Sequence, residues 1–438
     1  MLNSSLYIFL SKLAGYAVRL ALPLFLIRLL SVSDFGAYRQ FFLLETYIGA
    51  LFQLGLNQAL YYLIPRDVKN AGAYFLNSVM MNLAVLTVAF AAIGLFVGPL
   101  STALNMEVLR ESYWTLAIYV VVLMLAVGCD CYLTARQRIK AAAAFEIGGQ
   151  LAVSLLSVAV AYHTRDLQSV LWSIVAGRLL QLAAMLAFIH WRMRGFTSER
   201  YFFGIREQLR YSIVLGAGGT LITMLMRLHE FVVSRFYGPE GYAVYSAGCT
   251  ELPIIQMFTQ SLAVVALGQF AVLDQQNDWV GIRQLWSRVL TSSYAVALPV
   301  TLFLVVAAKP LVVFMCTDVY IDAVPIFRVN ALVKIGLVFN YTLVLRATNR
   351  NDITMWIHVV ALILAPFLLY GGMLAGGMVG IIAMQALLMI GTRMAGTFLM
   401  NRTIPKPLPY VVPMADILTF YREGWGKGRR ILAGIAHR

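Results

Sequence analysis

Long apolar runs recur at roughly 6–30, 38–64, 73–98, 113–134, 143–162, 167–190, 211–236, 242–272, 289–315, 325–345, 353–371 and 378–400. No other feature restricts the fold as much. A helix needs about 20 apolar residues to cross about 30 Å of hydrocarbon, so the runs predict about twelve spans. Membrane β-strands would instead be about ten residues long with strict alternation. Composition agrees with the helical reading. Of 438 residues, 61% are hydrophobic and 12% charged, against about 45–50% apolar and about 25% charged in soluble domains. With only 4 Cys, a disulfide scaffold is excluded, as are disordered and collagen-like chains. The expected class is an all-α integral membrane protein.

The net charge of +14 has to be placed around these spans. In the even-numbered connections lie Arg66 and Lys69; Arg136, Arg138 and Lys140; Arg192, Arg194, Arg200, Arg206 and Arg210; Arg283 and Arg288; Arg346 and Arg350. The odd-numbered ones carry Arg110 and Arg165. Basic residues accumulate on the cytoplasmic side, so the alternation predicts an even span count with both termini cytoplasmic. The first block carries Lys12 and Arg19 and is followed by Ser31-Val-Ser-Asp34 rather than a small-x-small cleavage site. It reads as a retained span, not a signal peptide.

A polar, basic stretch near mid-chain suggests two halves. Shifting the sequence by 207 positions aligns Arg28…Asp34-Phe35-Gly36-Ala37-Tyr38 with Arg235…Gly241-Tyr242-Ala243-Val244-Tyr245, with Glu240 near Asp34. Both stretches fall in the outward turn after the first span of their half, where a six-plus-six parallel duplication would put them. The expected organisation is an N-terminal six-helix lobe at 1–195, a cytoplasmic basic linker at 196–210, a C-terminal six-helix lobe at 211–400 and a basic cytoplasmic tail at 401–438. Gly372, Gly376 and Gly380 form a small-xxx-small series suited to close packing around the last outward turn. The tail, with Trp425, Lys427, Arg429 and Arg430, is either an anchor on the anionic leaflet or simply positive-inside charge.

The ionisable residues within spans are the informative ones: Lys12, Arg19, Arg39, Glu45, Asp130, Arg178, Arg227, Glu230, Glu251 and Lys334. A charge at mid-bilayer costs about 2.5–3.5 kcal/mol on insertion scales. Such groups therefore face a hydrated cavity, an ion partner or a ligand. Lys12, Tyr16, Arg19 and Pro23 share one helical stripe. Arg227 and Glu230, three apart, can pair, and Arg28, Arg39, Arg235 and Arg328 sit within snorkelling reach of a membrane surface. A cavity with surplus cations attracts an anion, and the planar guanidinium suits phosphate. Glu45, Asp130, Glu230 and Glu251 are the candidates for a coupling Na+ or H+.

Several chemistries find no motif. No G-x-x-x-x-G-K-[ST] loop is present, and His229-Glu230 is followed by Val233 where a zinc motif needs a second His. Cys129 and Cys131 point about 200° apart on a helix and cannot chelate together. Gly216, Gly218 and Gly219 lie at a helix start and read as close packing rather than nucleotide binding. Topology and the cavity account for the basic residues, so no nucleic-acid partner is expected. No cofactor or metal is expected either.

The stretch Leu29-Leu30-Ser31-Val32-Ser33-Asp34-Phe35-Gly36-Ala37-Tyr38 is one of three that carry a resemblance. The others are Leu54-Gly55-Leu56-Asn57-Gln58-Ala59-Leu60 leading to Ile64-Pro65-Arg66, and Tyr320-Ile-Asp-Ala-Val-Pro-Ile326-Phe327-Arg328. With twelve spans in two halves, the chain resembles the polysaccharide repeat-unit (Wzx-type, O-antigen and exopolysaccharide) flippases of the multidrug/oligosaccharidyl-lipid/polysaccharide exporter (MOP) superfamily.

The resemblance implies a MATE-like fold, two six-helix lobes rocking around a central cavity, in the bacterial cytoplasmic (inner) membrane. It implies a non-enzymatic flippase for undecaprenyl-pyrophosphate-linked repeat units, driven by an ion gradient or the membrane potential, working beside other polysaccharide assembly proteins. Arg19 and Arg227 become the first headgroup ligands, with Lys12, Arg178 and Lys334 behind them. A MATE-like drug or metabolite antiporter and a membrane glycan polymerase remain alternatives. The antiporter would favour acidic cavity residues, and the polymerase would need a larger outward loop than 98–112.

Overall fold

In the computed structural model the described residues are 18, 20–193, 202–250, 252, 254–336, 338, 341–348, 350–410, 415–419, 421 and 422. Among them every regular element is helical. Packing divides the chain into two compact units, Met1–Val244 and Tyr245–Arg438.

The first unit contains α1 (Leu20–Leu29), α2 (Val32–Phe52), α3 (Leu60–Arg66), α4 (Ala71–Leu95), α5 (Val97–Leu104), α6 (Val108–Glu111), α7 (Tyr113–Ala135), α8 (Ile139–Thr164), α9 (Leu167–Met193) and most of α10 (Ile205–Gly248). The second contains the end of α10, then α11 (Ile254–Gln275), α12 (Trp279–Val306), α13 (Ala308–Cys316), α14 (Ala323–Gly336), α15 (Thr342–Ala347) and α16 (Asn351–Thr403). Among the described residues, 8 helices are long and apolar enough to cross a membrane. Trp114, Leu95 and Phe314 expose most of their surface, as side chains facing acyl chains rather than water would.

Two of these long helices contain breaks that separate spans. In α10, Gly238 adopts φ 66° ahead of Pro239. In α16, Gly376 and Gly377 leave helical geometry, and a Cβ on Gly380 would collide with the Gly372 carbonyl. The chain therefore turns back on itself at Gly376–Gly377, between the runs 353–371 and 378–400. The small-residue series lets the two arms touch backbone to backbone.

The run 38–64 is not one span, and its boundaries have local causes. Ser31 accepts the Asp34 amide at 3.1 Å and its hydroxyl donates to the Asp34 carboxylate at 2.6 Å. That cap starts α2 at Val32, so Phe35, Gly36 and Tyr38 belong to its first turns rather than to a loop. At the other end Leu54 and Gly55 take φ 48° and 69° and stop the helix. A Cβ at Gly55 would lie 2.6 Å from the Ser212 carbonyl and 2.8 Å from the Gly216 amide, so α10 packs its backbone directly on this turn. Gly216 is thus a packing glycine, as its sequence context suggested, whereas Gly218 and Gly219, read the same way, have nothing within 4 Å of a Cβ position.

A buried polar network fixes the same corner. Asn57 donates to the Met124 carbonyl at 2.9 Å, Asn82 to Asn57 at 3.0 Å, Ser78 to the Leu56 carbonyl at 3.2 Å, and Gln208 to Ser78 at 2.7 Å. It ties α4, α7 and α10 to the turn after α2. Losing one partner strands the others without water. Asn57→Ala is therefore expected to lower stability by about 2 kcal/mol, read as a reduced midpoint of thermal unfolding in detergent; an unchanged midpoint would show that the network does not hold the corner.

The two stretches aligned by the 207-residue shift have like geometry. Each spans a helix break, at Ser31 and at Gly238, and each ends in a buried tyrosine, Tyr38 and Tyr245. At the ends of α8 and α9, Asp166 accepts the Ser169 amide at 2.8 Å, and those hydrogen bonds hold its carboxyl below the usual carboxylate range.

In the second unit Trp286 is fully buried and donates to the Pro409 carbonyl at 3.0 Å. Asn401 and Leu408 exchange two hydrogen bonds. The proline-rich start of the tail thus packs back onto α12. Trp425, Lys427, Arg429 and Arg430 lie outside the described residues.

Candidate functional site

The first unit encloses a cavity of about 470 Å³ walled by six helices, α1, α2, α7, α8, α9 and α10. Each wall is one face of its helix, because neighbours on a face recur every three or four residues. Helix α2 contributes Tyr38, Arg39, Phe42, Glu45 and Thr46; α8 contributes Glu146 and Gln150; α9 contributes Ile174 and Arg178; α10 contributes Arg227, Glu230 and Tyr242. Pro23, Tyr119 and Leu123 complete much of the apolar lining. Aromatic rings brace it, with Tyr38 and Phe42 centroids 4.8 Å apart and Phe42 and Tyr119 5.6 Å apart, both edge to face.

Three guanidinium groups and three carboxylates therefore share this wall among the described residues, and they are held differently. Arg227 forms an ion pair with Glu230, whose other oxygen accepts the Tyr242 hydroxyl at 2.7 Å. Tyr242 lies twelve positions beyond Glu230, roughly 18 Å along a straight helix. Only the break at Gly238 and Pro239 brings it back within hydrogen-bond reach.

Among the described residues, no carboxylate forms an ion pair with Arg178. Its guanidinium donates to the side-chain oxygens of Gln150 and Gln181, both at 2.7 Å. Arg39 has a buried Nε with no hydrogen-bond partner among the described residues, and so has Arg178. Glu45 accepts the Thr46 hydroxyl at 3.3 Å and lies within electrostatic reach of Arg178 and Arg227.

Of the residues singled out from sequence, Arg178, Arg227, Glu45 and Glu230 come together here. Asp130 does not line the cavity; it sits on α7 near Tyr61. Lys334 lies on α14 in the second unit. Lys12, Arg19 and Glu251 fall outside the described residues. Arg39, read from sequence as able to snorkel, lines the cavity, and Arg28 instead donates to its own helix at the Leu24 carbonyl. Glu146 was not singled out from sequence, although its four-residue spacing to Gln150 was a usable signal of a shared face. No group of three or more metal-ligating side chains occurs among the described residues. Cys129, Cys131, Cys249 and Cys316 form no disulfide among the described residues.

This arrangement can hold a polar ligand with an anionic end. Arg39 and Arg178 retain unused donors, tyrosine and threonine hydroxyls offer hydrogen bonds, and rings flank the lining.

The family model described as polysaccharide biosynthesis protein matches residues 25–325. Among solved structures, a multidrug resistance MATE family transporter of the MOP superfamily in its inward-facing conformation aligns with a TM-score of 0.69 at 13% identity, covering 89% of this chain and 94% of that one. The lipid II flippase MurJ in its inward closed conformation aligns with a TM-score of 0.69 at 13% identity, covering 93% and 89%. A MOP superfamily transporter from Pyrococcus furiosus, described as having a binding pocket of reverse polarity, aligns at 0.61 and 13%, covering 90% and 94%. At such identities the likeness establishes a shared fold, that of the MOP superfamily. Among curated proteins, none matches by sequence.

Proposed function

The chain belongs to the polysaccharide biosynthesis protein family, and we propose that it is a flippase for undecaprenyl-pyrophosphate-linked polysaccharide repeat units. The cavity carries this reading: it lies among membrane helices and offers the guanidinium groups of Arg39 and Arg178, neither hydrogen-bonded to a carboxylate among the described residues, beside aromatic and hydroxyl side chains. A volume of about 470 Å³ accommodates a diphosphate and its first sugar, while the polyprenyl tail stays among lipids. Movement by alternating access, energised by an ion gradient or by the membrane potential, needs no nucleotide site of its own. The same reading places the protein in the bacterial inner membrane with both termini cytoplasmic, beside other polysaccharide assembly proteins, and gives it no catalytic role.

The test is translocation in proteoliposomes. Purified protein should move a diphosphate-linked, fluorescently tagged oligosaccharide lipid between leaflets without ATP, and Arg39→Ala should slow that movement at least tenfold. If the wild-type protein leaves the lipid in its original leaflet under both an imposed potential and a pH gradient, the flippase reading is wrong.

The three cavity carboxylates give specific support to a second reading, a MATE-like antiporter. Uptake of organic cations by the same vesicles, with no lipid movement, would favour it.

A further inference from the structure

Among the cavity arginines, Arg227 meets a carboxylate, whereas Arg178 is clasped by two neutral amides. The clasp is built with care. Gln181, three residues after Arg178 on α9, donates its own nitrogen to the Phe145 carbonyl at 3.1 Å, which turns its oxygen toward the guanidinium. Gly149 makes room for it, since a Cβ there would overlap the Gln181 side chain. Gln150, from α8, accepts from the other terminal nitrogen. Both glutamines are buried, and Arg178 Nε stays without a hydrogen-bond partner among the described residues.

A carboxylate facing Arg178 would add Coulombic attraction and cancel the charge, whereas amide oxygens accept the same charge-assisted hydrogen bonds without cancelling it. Amide oxygens fix the plane of the guanidinium and leave its charge in place. Glu45 acts on Arg178 across the cavity, but its hydrogen bond comes from Thr46.

We propose that Gln150 and Gln181 are positioning residues that orient Arg178 while preserving its positive charge, so that Arg178 and Arg39 together dock a phosphate-type anionic group. This deepens the flippase reading and rests on it. The shared chemistry is a diphosphate, whether free or as the headgroup of a lipid.

The decisive substitution changes charge and keeps shape. Gln150→Glu retains an oxygen facing Arg178 and strengthens the bond, so a purely structural clasp predicts binding and thermal stability at least equal to wild type. A charge-preserving clasp predicts the opposite for binding: the new carboxylate neutralises Arg178 and repels the anion. Gln150→Leu, which removes one bond and leaves the charge, should do less harm.

The assay is equilibrium binding of inorganic pyrophosphate and of farnesyl diphosphate to the purified full chain in detergent. The expected result is a loss of affinity of tenfold or more in Gln150→Glu, a smaller loss in Gln150→Leu, and an unfolding midpoint for Gln150→Glu no lower than wild type. If wild type binds both probes, free and lipid-borne diphosphate share the site; if it binds farnesyl diphosphate alone, the ligand is a lipid headgroup. Either pattern supports the proposal when Gln150→Glu weakens it. Wild-type affinity in Gln150→Glu, a weaker Gln150→Leu than Gln150→Glu, or no binding of either probe by wild type would overturn it. Binding is read without transport, so a weakened Gln150→Glu alongside wild-type protein that moves no glycan lipid would remove the flippase reading and leave the docking site standing.

Discussion

Arg227→Ala is expected to lower stability by about 2–3 kcal/mol, because it strands a buried carboxylate. The Glu230 side chain is 5% exposed, and without Arg227 it keeps the Tyr242 hydroxyl as its hydrogen-bond partner. Breaking a fully buried pair costs about 3–5 kcal/mol. The lower figure applies here because the Arg227 side chain is 44% exposed, so its interaction is partly screened.

Adding Glu230→Gln removes the stranded charge and should restore most of the loss, a coupling of about 1–2 kcal/mol within the usual range for contacting residues. Thermal unfolding of the two single variants and the double variant in detergent measures it. Additive losses would mean that the pair contributes nothing as a pair. Translocation by the double variant separates two roles for Arg227: a ligand for the headgroup stays inactive after stability is rescued, whereas a structural partner regains movement.

Gly36→Val should cost about 3 kcal/mol or more, at the upper end of overpacking effects. A Cβ at Gly36 would overlap the Pro239 carbonyl. This is a contact of backbone on backbone, with no flexible side chain to yield. Nearby, Gln40 donates to Ser234 at 2.8 Å and to the Asn105 carbonyl at 3.3 Å, and Asn105 donates to the Arg235 carbonyl at 3.3 Å. Separating the helices at Gly36 would also pull these bonds apart.

Gly148→Ala is the matching control. It lies within α8 with nothing near its Cβ position, so the substitution should be neutral or gain up to about 1 kcal/mol in helix propensity. A Gly36→Val protein as stable as Gly148→Ala would show that the close approach between α2 and Pro239 does not form.

Some of this was legible in the chain because the signals are local. The pairing of Arg227 with Glu230 follows from three-residue spacing on one helix, and the turn at Gly376–Gly377 from closely spaced small residues. The opposite end of the same logic explains the errors. The run 38–64 reads as one apolar block, yet it is interrupted at Leu54 and Gly55, where the backbone of α10 needs room. Hydropathy cannot register that need, because Gly216 is more than a hundred positions away. Arg39 read both as an in-span charge and as one within snorkelling reach, since its sequence neighbours do not reveal that five other helices close around it.

The order of apolar and charged residues alone determined that this chain is a bundle of membrane helices, because the absence of water forces backbone groups to bond within each segment. It also determined that charges inside those segments must face inward. Beyond the pair Arg227 and Glu230 on one helix, which charge meets which partner was decided by the packing of α2, α8, α9 and α10. A guanidinium clasped by amides and one clasped by a carboxylate are both arginines in a greasy run. They differ through side chains on other helices or on the neighbouring turn, oriented by shape complementarity that no short stretch of sequence contains.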